Sequence, residues 1–145
     1  MSGLLFFIFL LKRGKLYSLG KSERLKSRKQ IDQVFKTGEK ITLYPFRLLY
    51  KIEPGTGNLK AGFTVSTKSF PRSVDRNRIK RLCREGYRQQ KKELGTAVGK
   101  NDYTFHMFFI YTGKEIVGYK EISVALEKLL DKMVKVLYEK VTANT

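Results

Sequence analysis

A mixed α/β domain is the fold class that the 145-residue sequence predicts. Three observations point to it. Apolar residues recur at helical spacing in three stretches, near residues 28–37, 74–94 and 120–139. Two shorter runs, Phe46–Ile52 and Ala61–Ser66, alternate with a period of two, as half-buried strands do. A third run, Tyr103–Tyr111, is mostly apolar and β-prone, as a central strand should be.

The elements follow in order. Ser27 and Gln30 form an S-x-x-Q capping box ahead of Ile31, Val34 and Phe35, which predicts a first helix over 28–37. Gly38 suits a left-handed stop. Phe46, Leu48, Tyr50 and Ile52 alternate with Arg47, Leu49 and Lys51. Ala61, Phe63 and Val65 alternate with Gly62, Thr64 and Ser66. The turn cluster Pro54-Gly55-Thr56-Gly57-Asn58 between them predicts an antiparallel hairpin. Over 74–94, Ile79, Leu82, Cys83, Gly86 and Tyr87 share one side of a helix. Arg76, Asn77, Lys80, Arg81, Arg84 and Arg88 share the other. Gly95–Lys100 reads as a loop. Ile122, Leu126, Leu129, Leu130, Met133, Val136 and Leu137 form the core stripe of a last helix over 120–139. No internal repeat or wide linker divides the chain, so residues 21–141 are expected to form one domain, with 142–145 as a tail.

Composition narrows the function. Hydrophobic residues make up 41% and aromatics 12%, too many for a disordered chain. One cysteine, Cys83, excludes an internal disulfide framework and a multi-cysteine metal site. The single histidine, His106, lies in the apolar central run and reads as a packed side chain. The acids are scattered, and no glycine-rich phosphate loop is present. No catalytic residue, metal ligand or protein-bound cofactor is expected.

Charge is the positive signal. Thirty Lys and Arg against thirteen Asp and Glu give +17. Residues 93–145 carry seven of each sign, so the whole excess precedes residue 93, and residues 67–92 alone carry ten bases and two acids. A clustered excess of this kind marks a directed anion-binding surface. Leu4–Leu11 is apolar but far short of the roughly 20 residues that span a bilayer. Its basic residues follow the run, which is the wrong order for a signal peptide. Residues 1–20 are therefore read as an extension outside the fold, and no membrane partner is expected.

The run Arg76-Asn77-Arg78-Ile79-Lys80-Arg81-Leu82-Cys83-Arg84-Glu85, with Lys68 and Arg72 before it, supplies arginine forks, lysine point charges and a helix start. Together with the upstream Gly62-Phe63-Thr64-Val65-Ser66-Thr67-Lys68, this string resembles the protein component of bacterial ribonuclease P. Arg24-Leu25, Val34-Phe35-Lys36-x-Gly38 and Phe46–Tyr50 extend the resemblance to about residues 22–140. It implies a two-layer α+β sandwich with a mainly antiparallel four-stranded sheet and a left-handed βαβ crossover. It also implies a cytoplasmic ribonucleoprotein that removes the 5′ leader from precursor tRNA, with catalysis and magnesium on the RNA subunit. Carried over by position, RNA contacts fall on Arg76, Asn77, Arg78, Lys80, Arg81 and Arg84, and the charge pattern extends that RNA-binding patch to Lys68, Arg72 and Arg88. The implied groove for the single-stranded leader uses Ile31, Phe35 and strand residues near Leu49 or Tyr50, with Lys68 at its edge; Phe46, Tyr50 and Phe63, or their strand neighbours, are read as its floor, with Ser66 beside them. Family members often carry an aromatic where this chain has Ile31. The competing reading is a ribosomal or general basic RNA-binding protein, which would share the charge map but lack a leader groove.

Overall fold

The computed structural model describes residues 23–143. The readings made for residues 1–20 and for residues 144–145 lie outside that range, whereas Thr142 and Ala143, expected in the tail, belong to the last helix. The element order is α1 (Arg28–Thr37), β1 (Glu39–Leu43), β2 (Phe46–Pro54), β3 (Leu59–Val65), α2 (Ser73–Gln90), α3 (Lys92–Lys100), β4 (Tyr103–Tyr111) and α4 (Tyr119–Ala143).

Four strands form one mixed sheet in the order β1-β2-β4-β3. β1 pairs with β2, and β2 with β4, antiparallel, whereas β3 pairs with β4 in parallel. The expected β2–β3 hairpin is therefore not formed. β4 inserts between the two strands, and α2 and α3 make the crossover from β3 to β4. The physical reason lies in β4 itself. It is apolar on both faces, and a central position satisfies its backbone from both sides while burying those faces.

The alternation of each strand sorts the side chains onto two faces. Phe46, Leu48, Tyr50 and Ile52 of β2, Ala61 and Val65 of β3, and Phe105, Met107, Phe109 and Tyr111 of β4 join one large core. α2, α3 and α4 complete it with Ile79, Cys83, Tyr87, Leu94, Leu126 and Met133. Phe63 binds the layers, stacking on Phe109 at 4.9 Å and meeting Tyr87 edge-on at 5.6 Å. The opposite face holds only a small cluster, in which Leu25, Val34 and Leu49 are buried and Ile31, Phe108 and Ile110 pack partly buried against them.

α1 covers this second face. The Ser27 hydroxyl accepts from the Gln30 amide at 3.4 Å, but the reciprocal half of the capping box is missing, because buried Gln30 Oε1 has no partner. Gly38 ends the helix with φ −78°, extended rather than left-handed. Its lack of a side chain serves close approach instead: a Cβ there would run into the carbonyl oxygens of Val34 and Tyr50. Two more expectations are corrected. α2 stops at Gln90 rather than near residue 94, and the expected loop over 95–100 belongs to α3 (92–100), which buries Leu94, Ala97 and Val98 despite two glycines. The residue pattern predicts no strand over 39–43, and β1 supplies the fourth strand that the resemblance implies.

Candidate nucleic-acid interface

The basic helix α2 lies on the sheet through Ile79, Cys83 and Tyr87, all buried. Burial pushes the Cys83 thiol up to about 12, against the opposing pull of the neighbouring Arg84 charge, so it is a neutral core group at physiological pH. With the apolar stripe fixed inward, the helical period turns Asn77, Arg78, Arg81 and Arg84 to solvent, and Lys80 is half-buried beside them. Lys68 and Arg72 are exposed in the turn before the helix. No ion pair among the described residues involves Lys68, Arg72, Arg78, Lys80, Arg81 or Arg84. Cations left without carboxylate partners on a rigid helix form a surface ready to neutralise phosphates.

Two of the arginines assigned to this surface are committed elsewhere. Arg76 Nη1 donates to the carbonyl oxygens of Phe70 at 2.8 Å and Pro71 at 2.7 Å. It thus clamps the turn that presents Lys68 and Arg72 to the start of the helix. Arg88 turns inward to Glu85, whose other oxygen accepts from Gln89 Nε2 at 3.2 Å. Glu85 is 8% exposed, and a buried carboxylate needs such a partner. One turn of helix therefore separates the free cations from a neutralised one.

The assigned groove residues split between the two faces of the sheet. Phe35 is 52% exposed on α1 and meets Phe108 edge-on at 5.4 Å. Ile31 sits beside it against the small cluster. Phe46 and Tyr50 do not belong to the groove. The phase of β2 points them into the large core, where Phe46 is fully buried, and the Tyr50 hydroxyl donates to Glu39 Oε2 at 2.7 Å. Desolvation, then that carboxylate, raises the Tyr50 pKa. Ser66 is exposed just past β3, and its hydroxyl accepts from the Lys68 amide at 3.2 Å, so it shapes the rim of the surface.

The opposite phase of the same strands faces α1: Arg47 and Leu49 on β2, Phe108 and Ile110 on β4, Gly62 and Thr64 on β3. Gly62 is required here, because a Cβ would lie 2.9 Å from the Phe108 ring and 3.0 Å from the Leu25 carbonyl oxygen. Sequence reasoning placed Leu49 near the groove but passed over Arg47 and Phe108, although the polar phase of β2, with Arg47 and Lys51 either side of Leu49, was the available signal for the arginine. His106 lies on this face but is buried, and burial followed by the Lys60 charge lowers its pKa. It is the packed histidine the sequence predicts.

Known proteins share this arrangement. The family model described as Ribonuclease P matches residues 19–134. A ribonuclease P protein component from Porphyromonas gingivalis is 33% identical over 116 residues, covering 79% of this chain and 85% of its own. One from Nitrosococcus oceani is 36% identical over 81 residues, covering 56% of this chain and 67% of its own. Among solved structures, the ribonuclease P protein of Thermotoga maritima superposes with a TM-score of 0.60 at 26% identity, covering 76% of this chain and 96% of that one. That of Staphylococcus aureus gives 0.59 at 23%, covering 81% and 93%, and so shares the fold. On the matched sequence, the sheet order and the exposed basic helix, the chain belongs to the ribonuclease P protein family, the protein subunits of an RNA-processing endoribonuclease.

Proposed function

We propose that this chain works in the cytoplasm as the RNA-binding subunit of ribonuclease P and assists the removal of the 5′ leader from precursor tRNA. The outer face of α2, with Lys68 and Arg72, neutralises phosphates of the catalytic RNA. The groove beside α1 holds the single-stranded leader. The bond is cut by the RNA subunit and its magnesium ions, and the protein contributes affinity and orientation. The observation that carries this reading is the row of exposed, unpaired Arg78, Arg81 and Arg84 on a helix whose other side is sealed into the core. Half-exposed Phe35 supports the second surface, since stacking on an aromatic ring is worth about 1–3 kcal/mol per base and tolerates any leader sequence.

The test is reconstitution with the cognate RNA subunit. The chain should stimulate cleavage of precursor tRNA and bind the RNA with a steep salt dependence. Arg81→Ala combined with Arg84→Ala should flatten that dependence by about two phosphate contacts. Equal binding by parent and double variant would assign the RNA surface elsewhere. Tight RNA binding with no stimulation of cleavage would make the chain a general RNA-binding protein.

A further inference from the structure

We infer that Arg47 is a leader-contacting residue, a cationic fork in the floor of the groove that grips the backbone of the nucleotide stacked beside it. The inference rests on the leader-groove reading above and deepens it.

The placement comes from the register. Arg47 stands directly opposite Ile110 on β4 and opposite Thr42 on β1. Alternation puts it on the face that carries α1, not on the face of the large core. Phe108 is its diagonal neighbour across β2 and β4, about 7–8 Å away, within reach of a long side chain. Phe108 in turn touches Phe35, the one aromatic residue on α1. The exposed arginine and the half-exposed ring therefore share the α1 face of the sheet, with Phe108 a neighbour of both.

The Arg47 backbone belongs to the ladders with β1 and β4, but its side chain is exposed and forms no ion pair with a described residue. Its strand neighbours Phe46 and Leu48 are fully buried. Arg76 and Arg88 show what structural arginines do in this molecule: each is bound to carbonyls or a carboxylate. A planar fork matches two phosphate oxygens, and its face also stacks on bases. Ile31 offers no π-face, so Phe35 supplies the only ring from the helix side, and a guanidinium opposite it is the available second contact.

The experiment uses the holoenzyme reconstituted with its RNA subunit, and compares precursor tRNA with mature tRNA. In Arg47→Ala the preference for the leader-bearing substrate should fall roughly tenfold, the loss expected for one charge-assisted hydrogen-bonded contact. Arg47→Lys, which keeps the charge but lacks the fork, should fall between the two. Leaders carrying one uncharged methylphosphonate linkage, moved along the strand, should reveal one position that weakens the parent and leaves Arg47→Ala no weaker. If Phe35→Ala loses leader preference while Arg47→Ala keeps it, or if no linkage position singles out Arg47, the assignment is overturned and the groove stands. If neither variant alters leader preference, the groove reading falls as well. Full recovery in Arg47→Lys would overturn the fork.

Discussion

The two faces of the sheet differ in how completely they are covered. On one, α2, α3 and α4 seal fully buried Phe46, Phe105, Phe109 and Tyr87 into a single core. On the other, one ten-residue helix buries three residues and leaves Phe35, Phe108, Ile110 and Arg47 wholly or partly open. The strands are the same, so composition alone does not decide which side is finished. The difference separates two tasks. Stability comes from the closed face, whose outer helix surface carries the cations. The open face keeps apolar area and a guanidinium available to a ligand.

Aromatic truncation gives the sharpest test. Phe109→Ala should cost about 3–5 kcal/mol, a large share of a typical domain's stability, read as a lowered midpoint in denaturant melts. Phe35→Ala, on the open face, should keep the fold and lose leader affinity instead. Equal destabilisation by both would mean that α1 is as closed as the core.

The arginines come next. Arg76→Ala should lower stability by about 1.5–3 kcal/mol, because it leaves two carbonyls without their charged donor, whereas Arg81→Ala should change the melting temperature little and reduce only RNA binding. The same comparison on the open face uses Gly62→Ala. Pressing a methyl between Phe108 and Leu25 should cost about 1–3 kcal/mol and loosen α1 before the main core, as hydrogen exchange would report.

His106 gives the smallest effect. Its folded pKa lies below the ordinary 6.5, so the unfolded chain takes up the proton more readily. The stability this contributes is complete above 6.5 and is lost as pH falls toward the folded value. Thermal melts between pH 7.5 and 5.5 should show that slope in the parent and less of it in His106→Phe, with the charges of Lys60, Lys51 and Glu53 held in common.

Much of this was legible in the sequence. The bounds of α1, the strand Tyr103–Tyr111 and the inward stripe of α2 followed from caps and periodicity, because local chemistry sets them. What was not legible depended on partners distant in sequence. β1 is a short, polar edge strand that exists because β2 offers it a ladder. α3 holds two glycines and is helical because the core accepts Leu94 and Val98. Alternation sets Phe46, Leu48, Tyr50 and Ile52 apart as the apolar phase of β2, but it does not say which face of the sheet α1 covers, and Phe46 and Tyr50 were placed in the groove. The fates of Arg76 and Arg88 turned on two carbonyls and one buried carboxylate, which a helical wheel does not display.

Sheet order carries a temporal consequence. β4, the strand that joins the antiparallel and parallel halves, is the last of the four to be synthesised. While residues 103–111 are still being translated, the β1–β2 ribbon and β3 have no common neighbour, and the arginine helix has β3 beside it but not the central strand that completes its apolar bed. Such non-local closure is slow. The rigid cationic ridge therefore waits on a strand made after the helix itself.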